Sequence, residues 1–424
     1  MAISEEAIAI GLDIGTSGAR AVAVNAAGEA IALTEARFNN PHEARRPDVW
    51  WERISHCLEE LSRTTDLGAV EGIAVDGTSG TVLSLDRHGQ ALGEVLMYND
   101  PCPDDDIVRR IAATAPSDSP ARGSNSGLAR SIYLSRAPGA CHVVHQADWI
   151  LMKLGQPSMV SDENNALKSG YDLQRQMWPE WVELAGMDVG KFPSVKPAGE
   201  RLTEIEGYAR TMGVPASCHF HAGTTDGCAS FLATGASEIG DGVTALGSTI
   251  VLKLASDRPI NAPEYGVYAH RVLDFWLIGG ASNSGGAVIR FLVGDERLSE
   301  LTERLRPDRP TGLDYYPLLK PGERFPINDP TYPPRLTPRP HDDAEFFQAI
   351  LEGMTEIERL GYARLRSLGG PQLRSIRTVG GGAKNQVWAR MRAEALGIDL
   401  VQPKSADAAV GTASLILARR RTAE

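Results

Sequence analysis

The chain reads as an α/β protein of two domains, and three features of the sequence predict this. Its 424 residues exceed what one ordinary hydrophobic core supports. Short apolar runs of strand character alternate with longer segments whose apolar residues recur at helical spacing, the pattern of a layered α/β architecture. A strand–turn–strand pattern near the N-terminus also returns about half a chain later, as a duplicated domain would produce.

Residues 7–12 form an apolar strand, 13–18 a turn of Gly, Thr and Ser, and 19–25 a second strand, so the opening is a hairpin. A turn at Gly28 leads to a third strand, 30–37. Residues 49–63 (VWWERISHCLEELSR) space their apolar side chains for a helix. A short buried strand at 70–76 runs into the loop 77–80, and 81–86 is again a strand. Residues 100–127, rich in Pro, Asp and Ser, are expected to cross the surface as irregular chain. Residues 146–154 are a helix stopped by Gly155. A brief strand at 219–223 precedes a helix opened by residues 224–226, and the domain change is placed there, giving domains 1–222 and 223–424. In the second domain, 244–254 (TALGSTIVLKL) repeats the plan of 11–24 (GLDIGTSGARAVAV). Residues 308–340 hold nine prolines and should be irregular. A long amphipathic helix is expected at 344–368, a strand ending in three glycines at 377–382, and helices at 387–396 and 408–420.

Composition narrows the class. A net charge of −11 with no basic block argues against nucleic acid or an anionic membrane surface as partner. The five cysteines form no C-x-x-C pair and are odd in number, which suits reduced thiols in a cytoplasmic protein. The N-terminus carries two glutamates and no basic stretch, unlike a secretory signal. The apolar runs are too short to span a bilayer.

Five motifs carry chemistry. In Asp13-Ile14-Gly15-Thr16-Ser17-Gly18, glycines and hydroxyls on a hairpin turn let N–H and Oγ groups approach phosphate oxygens. Asp13 can hold Mg2+ through water. A plain polar hairpin explains this turn about as well. Gly247, Ser248 and Thr249 form a second such turn, and two turns can clamp a triphosphate that one only cradles. Gly380-Gly381-Gly382-Ala383-Lys384-Asn385 joins a strand to a helix. Its bare backbone suits a flat base, Asn385 can read base or ribose edges, and the Trp388 ring can stack on adenine; a core tryptophan is the plainer alternative. Asp226 opens a helix among small residues, where a carboxylate could orient a hydroxyl and accept its proton. An ordinary N-cap aspartate is the commoner fate of that position. Asp76-Gly77-Thr78-Ser79-Gly80 ends a buried strand in a small polar loop whose Ser79 could donate to a sugar hydroxyl; a plain αβ-type turn is the competing explanation. Neither G-x-x-x-x-G-K-[ST] nor an early G-x-G-x-x-G is present, so P-loop and dinucleotide chemistry are disfavoured.

Together these residues resemble the FGGY carbohydrate kinases, within the actin-like ATPase superfamily. Residues 13–17, 223–226, 247–249 and 380–385 follow the family's motifs in order, and the resemblance covers essentially the whole chain. It is most similar to the short D-ribulokinases of cyanobacteria and plants, in stretches such as GLDIGTSGAR, DGTSGTVL, QADW and GGGAKN. Arg130 stands where longer members carry lysine, and Ser79 where xylulokinases tend to carry histidine. The resemblance implies two ribonuclease-H-like domains with the active site in the cleft between them. It implies ATP and Mg2+ as cofactors and a small sugar as the other substrate. Asp13, Thr16, Ser17, Ser79 and Asp226 would lie at the sugar, with Asp226 as general base. Gly381, Gly382, Asn385 and Trp388 would hold adenine, and Thr16 with Gly247, Ser248 and Thr249 the phosphates. Xylulokinase, polyol kinase, a silent binding regulator and a sugar-independent ATPase remain open alternatives.

Overall fold

The computed structural model describes residues 6–423. Part of the acidic N-terminus behind the expectation about a signal segment lies outside them.

In chain order the elements of the first half are β1 (Ala9–Ile14), β2 (Gly18–Val24), β3 (Ala30–Arg37), α1 (Pro47–Thr64), β4 (Gly72–Gly77), β5 (Val82–Leu85) and β6 (Ala91–Leu96). There follow α2 (Asp105–Thr114), α3 (Gly127–Ser135), β7 (His142–His145), α4 (Gln146–Leu154), β8 (Val160–Asp162), α5 (Glu163–Lys168) and α6 (Glu180–Leu184). Then come β9 (Ser194–Lys196), β10 (Arg201–Glu204), β11 (His219–His221), β12 (Thr224–Thr225) and α7 (Asp226–Ala233). The second half holds β13 (Asp241–Leu246), β14 (Ile250–Ser256), β15 (His270–Val272), β16 (Phe275–Ala281), α8 (Gly286–Leu292) and α9 (Leu298–Glu303). It ends with α10 (Asp343–Ser367), β17 (Ser375–Val379), α11 (Gln386–Leu396), β18 (Leu400–Val401) and α12 (Ala408–Ala423).

Two compact units result. Unit 1 runs to Ala233 and adds His270–Asp274 and the chain from Asp407 onward; unit 2 is Thr234–Ala269 with Phe275–Ala406. This departs from the 1–222 and 223–424 division expected from sequence. The reason is packing: α7 and α12 lie against one another and on the sheet of unit 1. Their surfaces are small residues, so backbone meets backbone. A Cβ on Gly411 would fall 1.8 Å from the Ala229 carbonyl oxygen, and one on Gly11 of β1 would fall 1.9 Å from that of Ala409.

In unit 1 the main sheet has the order β10-β11-β4-β1-β2-β3, with β12 also on β4. β1 is antiparallel to β2 and parallel to β4, so Asp13 stands in register with Asp76. In unit 2 the order is β16-β14-β13-β17-β18, with β13 antiparallel to β14 and parallel to β17. Both units therefore use three antiparallel strands followed by parallel neighbours, the duplicated ribonuclease-H-like plan. The strands of the unit 1 hairpin are buried almost throughout, and Trp50, Ile54 and Leu61 of α1 cover one face. In unit 2 the buried stripe of α10, including Phe347, Ile350 and Met354, does the same work.

One local expectation fails. Residues 100–127 are not wholly irregular, because α2 forms within them. The Asp104 side chain accepts from the Asp106 amide at its N-terminus, acidic residues fill the first turn, and Ile107 and Ile111 are buried four residues apart. The proline-rich 308–340 stretch forms no helix or strand, as expected. No helix among the described residues is long and apolar enough to cross a membrane.

Because β1 and α12 touch through bare backbone, Gly11→Ala forces them apart. Thermal denaturation should show destabilisation of about 1–3 kcal/mol or more, the usual range for overpacking.

Candidate functional site

In unit 1 the site grows from the ends of parallel strands. β1 and β4 deliver Asp13 and Asp76 side by side, and β12 runs parallel to β4 with Thr224 opposite Asp76. Gly223 makes that approach possible, since a Cβ there would lie 1.7 Å from the Val75 carbonyl oxygen. The chain then enters α7 at Asp226, which is half-buried and accepts from the Gly227 amide at 2.7 Å. Asp226 is thus the first residue of a helix, as the sequence predicts, and a helix N-terminus favours its anion.

Asp13 is 5% exposed and pairs with Arg20 at 3.2 Å; Arg20 also reaches Glu35 and Asp407. Burial pushes the Asp13 carboxyl up to about 6, a hydrogen bond with Asp76 opposes this, and the charge of Asp226 adds to it. Asp76 is fully buried and is held well above the usual carboxylate range, by burial and then by the charge of Asp13, while the Thr412 hydroxyl of α12 donates to it. Three carboxylates therefore act on one another at the carboxyl end of β1 and β4. Sequence reasoning singled out Asp13 and Asp226 but assigned no role to Asp76; its place at the end of an apolar strand, beside the Ser79 loop, was the available signal. Thr16 and Ser17 are exposed at the tip of the β1–β2 turn, where the Gly15 amide bonds the Gly18 carbonyl at 3.0 Å. The Ser79 Oγ is buried and makes no hydrogen bond within the described protein.

In unit 2 a cavity of about 690 Å3 opens between the β13–β14 turn, α8, α9 and the start of α11. Its size is that of a nucleotide or drug-sized ligand site. Gly247 and Ser248 line it, as do Gly381, Gly382 and Asn385. Thr249 does not; its backbone abuts Gly285 instead. Arg290, unremarked in the sequence, also lines the cavity and donates to Ser248 Oγ at 3.1 Å. Asn385 caps α11 by accepting from the Trp388 amide at 2.9 Å, and its Nδ2 donates to Thr302 at 3.1 Å. Trp388 is 3% exposed and donates from Nε1 to Thr355 at 2.9 Å. It is a buried wall of the cavity rather than the open stacking face expected. Gly382 explains the fit: a Cβ there would meet Leu246 Cβ at 2.7 Å and Trp388 Cζ3 at 2.9 Å, whereas one on Gly381 meets nothing. Beneath, Arg392 and Glu358 form a buried pair at 2.6 Å, tied to Thr244 and Thr378, which fixes α11 against α10 and the sheet.

Among the described residues no three His, Cys, Asp or Glu side chains converge as a metal cage. One carboxylate beside exposed hydroxyls fits a Mg2+ ion held chiefly by phosphate oxygens and water.

Two outcomes follow from this geometry. The folded protein holds the Asp76 proton more tightly than the unfolded chain does, so stability falls as pH rises above about 4. Asp76→Asn, which mimics the protonated acid, should raise the melting temperature at pH 8, and the gain should shrink toward pH 4. Gly382→Ala should destabilise the protein by roughly 1–3 kcal/mol in thermal denaturation, because Leu246 or Trp388 must shift to admit the methyl group. Gly381→Ala should leave the melting temperature unchanged.

Residues 8–113 match the N-terminal domain of the FGGY family of carbohydrate kinases, and residues 242–418 match its C-terminal domain. A gluconokinase from Bacillus licheniformis is 27% identical over 218 residues, 46% of this chain and 42% of that protein. This match thus spans less than half the length of that relative. A xylulose kinase from Klebsiella pneumoniae is 23% identical over 425 residues, 92% of this chain and 85% of that protein. Among solved structures, xylulose kinases from Lactobacillus acidophilus and Rhodospirillum rubrum superpose with TM-scores of 0.83 and 0.81 at 16% and 24% identity. These cover 98% and 96% of this chain, and 90% and 88% of those structures. At such identities the likeness is one of fold. With both domain models matched in order over the same duplicated architecture, the chain belongs to the FGGY family of carbohydrate kinases.

Proposed function

We propose that the protein is an ATP-dependent sugar kinase that phosphorylates the terminal hydroxyl of a ketopentose, converting D-ribulose to D-ribulose 5-phosphate. The observation that carries this reading is Asp226, a half-buried carboxylate at a helix N-terminus beside the Asp13–Asp76 pair. Such a group can orient the C5 hydroxyl and accept its proton as the oxygen attacks the γ-phosphorus. The bond from that phosphorus to the bridging oxygen of ADP breaks as the new P–O bond forms.

In this reading the unit 2 cavity takes ATP. Gly381, Gly382 and Asn385 lie along the base, with Trp388 as the wall behind them. Gly247 and Ser248 offer N–H and hydroxyl donors to phosphate oxygens, with Thr249 supporting their turn, and Thr16 offers the same donors from unit 1. Asp13 is the protein carboxylate suited to Mg2+ through water; the bound ion neutralises phosphate oxygens. Asp13, Ser17 and Ser79 face the sugar. Transfer requires acceptor oxygen and γ-phosphorus to meet at roughly 3–3.5 Å in the substrate-loaded state. The setting suited to these substrates is the cytoplasm.

D-xylulose is the second reading, favoured by the xylulose kinases among the relatives. Serine rather than histidine at position 79 favours D-ribulose. Coupled ADP release over ketopentoses, polyols and gluconate decides between them, and ATP turnover independent of any sugar would defeat both. Asp226→Asn should lower sugar-dependent ADP release by at least about a hundredfold while preserving the circular dichroism spectrum and ADP binding. Near-normal turnover in that variant would remove Asp226 from the chemistry.

A further inference from the structure

The Ser79 loop is held from both sides by buried side chains to which the reaction assigns nothing. On the residue before Ser79, Gln146 Oε1 accepts from the Thr78 amide at 3.1 Å and from the Thr78 hydroxyl at 2.7 Å. Gln146, the first residue of α4, is fully buried. On the residue after it, Arg130 Nη2 donates to the Gly80 carbonyl at 2.8 Å. The Arg130 guanidinium is 1% exposed and forms no ion pair among the described residues. Its Nη1 instead gathers three more carbonyls, those of Tyr98, Asp100 and Asn125, at 3.2, 2.9 and 3.0 Å. A third link closes the frame: the Thr78 and Thr81 hydroxyls lie 2.6 Å apart, and Thr81 accepts from the Tyr98 amide at 3.2 Å.

Within this frame the hydroxyl of Ser79 is left buried and unbonded, as is Nε2 of Gln146. Leaving a buried polar atom unpaired costs on the order of 1–3 kcal/mol. A buried guanidinium spent on four backbone carbonyls is a second large commitment. Both make physical sense if the loop exists to present the Ser79 hydroxyl in one fixed orientation to a ligand that completes it. A site built to hydrogen-bond one hydroxyl rejects substrates that place it elsewhere, because its own polar group then stays unpaired.

We infer that Arg130 and Gln146 are positioning residues for acceptor stereochemistry: they fix Ser79 so that it distinguishes ketopentoses epimeric at a single secondary hydroxyl. The inference rests on the kinase reading above and deepens it. Arg130 and Gln146 act through Ser79 and need not touch the sugar. Arginine is required rather than lysine, because only the planar fork can serve the Gly80 carbonyl with one nitrogen and the Tyr98, Asp100 and Asn125 carbonyls with the other.

The test compares kcat/KM for D-ribulose and D-xylulose, which differ only at C3, in the wild-type protein and in Ser79→Ala, Gln146→Leu and Arg130→Lys. The ratio should move toward unity by about tenfold in each variant, the value of one hydrogen bond, with KM for ATP unchanged. In the Ser79→Ala background, Arg130→Lys should change the ratio no further, since its effect passes through the missing hydroxyl. A merely structural role would lower the melting temperature and kcat for both sugars alike and leave their ratio intact. Should Arg130→Lys fail to fold, Gln146→Leu carries the same comparison. A wild-type preference that survives in folded variants, or additive effects in the double variant, would overturn the inference alone. Absence of ketopentose-dependent ADP release from the wild-type protein would overturn the kinase reading together with it.

Discussion

Two carboxylic acids in register on adjacent parallel strands set the terms for unit 1. Asp13 and Asp76 are held together by β1 and β4, at the strand ends where open α/β sheets bind ligands. Burying such a pair is costly, and the fold offsets it from two directions. Arg20 reaches Asp13 along the neighbouring strand, and Thr412 reaches Asp76 from α12. The second contact explains why the last helix of the chain belongs to the first unit. α12 can deliver a hydroxyl to a fully buried strand residue only by lying directly on the sheet. Gly11, Gly72 and Gly411 make room: a Cβ on Gly72 would come within 2.6 Å of Ile416.

Unit 2 repeats the topology with different chemistry. Where the β1–β2 turn follows Asp13 and Ile14, the β13–β14 turn follows Ala245 and Leu246, so no carboxylate is set beneath it. Leu246 instead packs under Gly382 and against Trp388 to make an apolar floor. The polar investment lies deeper, in the Arg392–Glu358 pair that anchors α11 to α10. One ancestral plan has thus yielded a carboxylate-bearing surface in one half and a bare-backbone cavity in the other. Under the proposed kinase reading, that division gives the carboxylates to the substrate that loses a proton and the cavity to the nucleotide.

What could be read from the sequence was local. The hairpin turns, and α4 with its stop at Gly155, follow from glycine and strand patterns, and Gly155 takes φ of +125° where the helix ends. The placement of Asp226 was legible because small residues around it mark a helix start, and α7 does begin there. The irregular reading of residues 100–127 failed where aspartates that look like loop composition turned out to cap a helix. Trp388 was visible but its depth was not, since an indole at that helical position suits either a stacking face or a wall. Contacts such as Thr412 with Asp76, or Arg130 with Gly80, join residues far apart in the chain and leave no periodic trace. Only the assembled sheet shows why those side chains are what they are.

Burial of the Asp13–Asp76 pair also bears on an apparent conflict in the electrostatics. A protein of net charge −11 that places three aspartates together would repel a triphosphate if all three were ionised. Burial prevents that. Asp76 retains its proton well above the usual carboxylate range, so the cluster is less negative than its composition suggests. Asp226 differs in setting, since it begins α7 and is only half-buried, yet its charge still acts on both Asp13 and Asp76. Environment rather than residue type thus separates these acids: Asp76 is fully buried and holds its proton, whereas Asp13 keeps the Arg20 guanidinium at 3.2 Å.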